Sequence, residues 1–270
     1  MWQRHAARAQ RAGLDRFYVI LSFDCDTDKD IEVAPRVAER LRALDIAATF
    51  AVPGEQLRRG QDVYRELFRA GHEFIAHGDH EHCVLRDGDY ISSFFYDELG
   101  RDTVAGDIER ATNTFTDIFG TRPIGFRTPH FGSFQGGAQL AFLHTTLRGL
   151  GYRFSSSTMP LYGLWHGPVR VFNDGFAEVP LTGCFTAPLG LLDSYGFRFA
   201  AGRRPSEERY AAEFTGILRY FGDRGLPGLM STYVDPSQVH DFPPFWDSVE
   251  TLASMAVSTL SYSRLLELVT

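Results

Sequence analysis

Two short stretches of this chain concentrate groups that can bind a cation or move a proton. Four of its nine histidines, His72, His77, His80 and His82, fall within eleven residues. Three aspartates alternate at Asp24, Asp26 and Asp28. Neutral imidazole is the commonest nitrogen donor to Zn²⁺, and two imidazoles with one carboxylate leave a coordination position open for water. Alternating aspartates can divide the remaining work, one carboxylate holding metal while another takes up protons. The plain alternative is a solvated acidic turn that caps the next helix. A third stretch, Phe126-Arg127-Thr128-Pro129-His130, carries a guanidinium able to hold a carboxylate ionised, and a proline that stiffens the loop presenting His130. An arginine that merely bridges two loops is the alternative there.

The elements that must present these groups follow from hydrophobic patterning. Phe17–Phe23 is an unbroken apolar run, as expected of a strand buried on both faces. Val33, Val37, Leu41 and Leu44 recur at helical spacing. Ile46–Val52, Glu73–Ala76, Pro123–Phe126, Tyr152–Ser156 and Gly228–Val234 read as further strands. Apolar residues at helical spacing place helices around Val63–Ala70, Val104–Ile118, Leu140–Leu150 and Ala211–Phe221, and residues 246–257 and 263–269 also read as helical. Residues 158–205 read as loops and short strands. Six or seven β–α units in about 250 residues predict a closed or nearly closed β/α barrel, whose functional side chains gather at the C-terminal ends of the strands. The aspartates follow the first predicted strand, the histidines the third and Arg127 the fourth. No GxGxxG follows the first strand and no GxxxxGK[ST] occurs, so both phosphate-cradling motifs are excluded.

The histidine stretch admits more than one ligand set. If a helical turn begins after the third strand, His77 and His80 share a face at i, i+3, and His77 and Glu81 at i, i+4. His82 then points elsewhere unless the turn is irregular. Face geometry therefore favours His80 as the partner of His77, with His82 close behind and Glu81 as a carboxylate alternative.

Composition narrows the setting. The 270 residues carry 27 basic and 34 acidic side chains, a net charge of −7, with no long basic run, which argues against a nucleic-acid partner. Three cysteines without repeated spacing are no disulfide framework and fit a reducing compartment. The first apolar run is too short to span a membrane and no cleavage site follows it. These features predict a cytoplasmic protein with no membrane span, a small-molecule or saccharide substrate, and an open question as to assembly with copies of itself. Residues 1–15 read as an arm, or a short helix, outside the core, and residues 16–270 as one barrel domain.

Taken in order, SFDCDTD (22–28), Thr-Phe (49–50), GHEFIAH (71–77), GFRTPH (125–130), GYRFSSS (151–157) and EVP (178–180) resemble the polysaccharide deacetylase family, the NodB-homology or carbohydrate esterase family 4 group. The D-x-D form resembles its cytoplasmic branch of peptidoglycan deacetylase-like and allantoinase-like proteins. The resemblance spans roughly residues 17–240. It implies an α/β fold, a distorted (β/α)₇ barrel of the NodB-homology type, holding a divalent metal, usually zinc, by one Asp and two His. By motif position Asp24 is the general base, Asp26 and His77 are ligands, and Arg127 orients the base. The Pro129-His130 loop is where the family binds substrate oxygen. The family spaces its histidines H-x-x-x-H, and here that second position is Glu81; a one-residue deletion aligns His80 and an insertion His82. The family's acid histidine after the last strand is replaced by Asp235, with His240 five residues on. Asp235 needs a raised pKa to donate near neutrality.

The implied activity is metal-dependent hydrolysis of a non-peptide C–N bond, foremost N-deacetylation of an N-acyl amino sugar. Hydrolysis of a cyclic amide or ureide, and a non-catalytic carbohydrate-binding barrel, are the alternatives. An acidic, cytoplasmic enzyme fits a soluble or nucleotide-linked sugar better than a polymer. Of the aromatics from Phe131 to Phe197, two in three are expected in the core or an interface rather than against a sugar.

Overall fold

The computed structural model describes residues 1–200, 207–255 and 257–269. Its elements run α1 (Trp2–Arg11), β1 (Phe17–Asp24), α2 (Asp28–Ala43), β2 (Ala48–Val52), α3 (Gly54–Arg59), α4 (Gln61–Arg69) and β3 (Glu73–Ala76). A hairpin of β4 (Cys83–Arg86) and β5 (Asp89–Ser92) precedes α5 (Arg101–Phe119). Then come β6 (Gly125–Phe126), α6 (Gly137–Gly149), β7 (Phe154–Ser155), α7 (Pro160–His166), β8 (Arg170–Val171) and β9 (Ala177–Glu178). The chain ends with α8 (Ser194–Arg198), α9 (Glu207–Gly222), β10 (Gly228–Val234), α10 (Pro236–Val239), α11 (Pro243–Ser254), β11 (Ser258–Thr259) and α12 (Tyr262–Val269).

The main sheet has the order β10-β1-β2-β3-β6-β7-β9-β8. Every pairing from β10 to β9 is parallel, and only β8 joins antiparallel. The sheet curls until its ends approach: Thr182 N–H, just past β9, donates to the Ser231 carbonyl on β10 at 2.7 Å, and Ser231 N–H donates back to Thr182 Oγ1 at 3.0 Å. Seven parallel strands therefore form the expected distorted β/α barrel.

All eight residues of β1 are buried, because parallel neighbours and crossover elements cover both faces. The two-residue period of the strand sorts its side chains. Val19, Leu21 and Phe23 pack outward in the layer shared with α2, α9 and α11, whereas Tyr18 and Ile20 lie in the interior cluster with Ala51, Ile75 and Leu229. Ser22 and Asp24 continue the inward face, so it changes from apolar at the bottom of the barrel to polar at the top. That change creates the site. Gly125 on β6 is required by packing, since a Cβ there would lie 2.0 Å from the Phe154 ring.

Three expectations change. Helix α1 does not lie outside the core: Ala6 and Ala9 are buried, Trp2 Nε1 donates to the Phe185 carbonyl at 3.1 Å, and His5 Nε2 accepts Leu229 N–H at 3.3 Å. Two alanine methyls let the helix approach the lower end of β10 closely. The helix expected over 246–257 ends at Ser254, and Ser258–Thr259 instead pairs with Tyr18–Val19; residue 256 lies outside the described residues. Within 158–205 the structure has α7 and α8 as well as short strands, while residues 201–205 lie outside the described residues. Cys25, Cys83 and Cys184 are free and buried. Among the described residues no helix is long and apolar enough to cross a membrane.

Candidate active site

Asp24 ends β1, and Asp26 lies on the turn into α2 that is anchored when Cys25 N–H donates to the Ala51 carbonyl at 2.9 Å. A capping box of Thr27 and Asp30 starts α2, Asp30 Oδ2 accepting both Thr27 N–H (2.9 Å) and Thr27 Oγ1–H (2.7 Å). The strand's alternation has ended by Asp28, the first residue of α2, which points to the surface and pairs with Arg59 at 3.1 Å. Of the three aspartates, two face inward.

His77 follows β3 and is buried. Its Nδ1–H donates to the Arg127 carbonyl at 2.9 Å, which directs Nε2 toward Asp26 Oδ1 (3.4 Å) and Asp24 Oδ2 (3.7 Å). No helical turn begins after it. Gly78 takes a left-handed φ of +76°, a conformation glycine adopts without strain. The buried Asp107 carboxylate on α5 accepts Asp79 N–H and His80 N–H, each at 3.0 Å, and Tyr96 Oη–H at 2.7 Å. A Cβ on Gly78 would sit 2.9 Å from that carboxylate.

This bent loop turns His80 outward. Its side chain is 52% exposed, 3.9 Å from Glu55, with its ring against Phe94 at 4.3 Å. Glu81 pairs with Arg59 at 2.5 Å. His82 turns back in with no exposed side-chain surface, its Nε2 3.2 Å from Asp26 Oδ1 and its Nδ1–H directed at the His80 carbonyl at 3.3 Å. The helical-turn expectation that favoured His80 is therefore not met. The irregular turn that would let His82 reach the cluster is the one the chain adopts.

Asp26, His77 and His82 bring ligand atoms within 4.8 Å of one another, the metal-competent cluster found among the described residues. Asp26 Oδ1 and His82 Nε2 are buried without a hydrogen-bond partner. Such orphaned atoms are rare in folded proteins. Two imidazole nitrogens and one carboxylate oxygen are the donor set of an open zinc site, and both rings spend Nδ1–H on backbone carbonyls, as ligating histidines do. The residues fit a divalent cation. Burial alone would raise the Asp26 carboxyl, but the adjacent imidazoles of His82 and His77 hold it well below the usual carboxylate range.

Asp24 meets Arg127, whose Nη1 donates to Asp24 Oδ1 at 2.5 Å. The arginine is fully buried and its Nη2 also reaches Ser22 Oγ (2.8 Å), Tyr262 Oη (2.9 Å) and Ser156 Oγ (3.2 Å). It orients a carboxylate, and bridges three strands in doing so. Burial raises the Asp24 carboxyl despite the opposing charges of Arg127 and His77. Asp235, directly after β10, lines the same cleft as Asp24, Asp26 and His77. Burial, then the carboxylates of Asp26, Asp30, Asp24 and Asp193, push its carboxyl well above the ordinary range. His240 is not brought to the cleft; its Nδ1–H donates to the Ser237 carbonyl at 3.0 Å.

His130 lines the cleft in a left-handed conformation (φ +57°), its Nε2–H donating to the Ser93 carbonyl at 2.7 Å. Burial and the nearby His82 pull its imidazole down to about 4. Pro129 is buried behind the lining, against Gly78. Glu178 of the EVP segment serves the scaffold: Oε1 accepts Ser157 and Thr158 N–H, both at 3.0 Å, and Oε2 faces His144 at 3.0 Å.

The cleft has a volume of about 230 Å³. Sequence reading missed one of its walls, the β4–β5 hairpin with Cys83, Tyr90 and Ser92. The signal was present in Asp87-Gly88, both at positive φ (53° and 89°), a pair typical of two-residue hairpin turns. Phe95, Phe131, Tyr195, Tyr233 and Gln238 also line the cleft, and none belongs to a metal or acid–base motif.

A curled parallel barrel gathers carboxylates and imidazoles at the C-terminal ends of its strands, where proteins of the β/α-barrel class carry their sites. The family profile described as polysaccharide deacetylase matches residues 12–149, just over half of the chain, and the chain belongs to the polysaccharide deacetylase family. Its fold is shared with a protein from Mycobacterium smegmatis assigned to the polysaccharide deacetylases (TM-score 0.69, 19% identity, 95% of this chain and 91% of that one). The Puue allantoinase is similar at TM-score 0.69 and 12% identity, over 94% and 90% of the two chains. A family 4 acetyl xylan esterase from Clostridium thermocellum, solved with a cobalt ion, aligns at TM-score 0.52 and 18% identity over 93% and 91%. Among curated proteins none matches the sequence.

Proposed function

We propose that this chain is a metal-dependent hydrolase of a non-peptide C–N bond that removes the acyl group from an N-acyl amino sugar, with Asp26, His77 and His82 as ligands and zinc as the expected ion. The observation that carries this reading is the convergence of Asp26 Oδ1 and the two Nε2 atoms beside an arginine-held carboxylate. The cobalt in the acetyl xylan esterase supports a divalent ion at an equivalent centre. Such an ion supplies Lewis-acid stabilisation of charge at the carbonyl oxygen and makes a water-derived nucleophile available near neutral pH.

The chain's own residues supply the rest. Arg127 holds Asp24 Oδ1, leaving Oδ2 directed to the His77 side, where it accepts the proton of the attacking water as general base. Asp235, whose carboxyl is pushed well above the ordinary range by burial and by neighbouring carboxylates, is the group that returns a proton to the departing nitrogen as the C–N bond breaks. The products are a carboxylic acid and a free amine. His130, fixed by Ser93, forms one wall of the cleft. The free, buried cysteines support the cytoplasmic setting read from the sequence.

A second reading, hydrolysis of a cyclic amide or ureide, uses the same atoms. It is favoured by the small cleft and by a shared fold with the Puue allantoinase. The test is metal analysis of purified protein together with Asp24→Asn, assayed on a panel of N-acetyl amino sugars and cyclic ureides. About one equivalent of zinc-like metal should survive dialysis, and Asp24→Asn should keep it while losing about 10²–10⁴-fold in turnover. Protein that is metal-free and takes up no Zn²⁺, Co²⁺ or Ni²⁺ overturns the proposal. Metal and ligand binding without turnover on any panel member would favour a binding barrel.

A further inference from the structure

The segments around the cleft hold one another in a closed circuit. The β4–β5 hairpin reaches α10 through Tyr90 Oη and Ser237 Oγ, 2.9 Å apart, and reaches the end of α8 through ring contacts of Tyr90 with Phe199 (5.0 Å) and Tyr195 (6.3 Å). Helix α8 is tied to the residues after β10, because Ser194 Oγ accepts Asp235 N–H at 3.1 Å and donates to Gln238 Oε1 at 2.7 Å. Strand β10 touches the loop after β6 where Tyr233 lies against Phe131, ring centres 4.6 Å apart. That loop returns to the end of the hairpin through His130 and the Ser93 carbonyl (2.7 Å), with Phe95 stacked on His130 at 4.3 Å. Ser93 N–H in turn donates to the His82 carbonyl at 2.8 Å, fastening the rim to the proposed metal loop below.

Six of these rim residues, Tyr90, Phe95, His130, Phe131, Tyr195 and Tyr233, line the same cavity as Asp24, Asp26 and His77. A groove that admits the interior of a polymer must be open at two opposite ends, so that the neighbouring units can leave on both sides. Here, among the described residues, contacts join each segment of the rim to the next. The cleft volume of about 230 Å³ is below the range of about 300–1,000 Å³ typical of sites for drug-sized ligands, and suits one ring with its acyl group.

We infer that the site takes its substrate end-on: a free N-acyl amino sugar, or the single terminal unit of a short chain, and excludes interior units of a polymer. The inference rests on the amide-hydrolase reading above and narrows its substrate class. The hairpin is the element that sets this limit, since Tyr90 contributes three of the rim contacts.

The test uses the metal-loaded full chain with an N-acetylated amino-sugar monomer and its β-linked hexamer, products mapped unit by unit by mass spectrometry. The monomer, or one end of the hexamer, should be deacetylated, with kcat/KM for interior units lower by at least about a hundredfold. Tyr90→Ala should raise the ratio of hexamer to monomer activity by about tenfold, and Ser237→Ala, which retains the aromatic ring, should raise it less. The ratio is insensitive to the amount of folded enzyme, and if Tyr90→Ala fails to fold the product map of the unaltered chain decides alone. Deacetylation of interior units at a rate comparable to the monomer overturns the end-on inference while leaving the hydrolase reading intact. No turnover of monomer or hexamer by the metal-loaded protein overturns both.

Discussion

At the scale of single residues, the chemistry hangs on where one imidazole points. Spacing made Asp24, Asp26, His77 and Arg127 legible, because each follows directly on a strand whose apolar run is plain in the sequence. The partner of His77 was not legible, because no local pattern distinguishes the bend at Gly78 from the start of a helical turn. Backbone amides of Asp79 and His80 turn toward Asp107, 28 and 27 residues away on no recognisable motif, and this sends the His80 ring outward. The proposed ligand set makes a sharp distinction between neighbours. His82→Ala should abolish stoichiometric zinc binding in a metal titration, whereas His80→Ala, which alters a half-exposed ring, should leave the stoichiometry unchanged. The opposite result would transfer the ligand role to His80.

At the scale of elements, strands β1, β2, β3, β6, β7 and β10 were readable, whereas the docking of α1 and the β4–β5 hairpin were not. Helix α1 has a polar composition that gives little hydrophobic signal, yet two alanines and Trp2 suffice to dock it under β10. The β4–β5 hairpin is largely exposed, so its alternation carries no burial pattern. Docking of α1 also has a pH signature. His5 Nε2 accepts the Leu229 N–H and must stay unprotonated to do so. Burial first, then the charge of Arg8, lowers its imidazole from 6.5 to about 4. The unfolded chain therefore binds the extra proton between those values, and stability is lost as pH falls from 6.5 toward 4. In His5→Gln the amide oxygen can replace the acceptor without titrating. Its urea midpoint should decline less steeply than that of the unaltered chain across that interval, and equal slopes would exclude His5 as a contributor.

At the scale of the whole molecule, a cation at the strand ends would join β1 to the loop after β3 and stabilise the native state over the unfolded one. Binding to the native state alone adds about 4 kcal/mol at a free metal concentration a thousandfold above Kd, which for a chain of this length corresponds to roughly 10 °C in Tm. Chelation should lower the melting temperature by that order, Zn²⁺ should restore it, and His82→Ala should respond to neither. Insensitivity of the unaltered chain to chelator and to added Zn²⁺ would contradict the proposed centre. What the sequence determined by itself is the succession of buried strands and the identity of the groups at their ends, because a period of two and an unbroken apolar run are local properties of the chain. The tertiary structure alone decided which groups converge. Ring orientation at His82, the Asp107 anchor beneath it and the circuit of contacts that closes the rim all depend on residues far apart in the chain, and no local pattern of side chains encodes such distances.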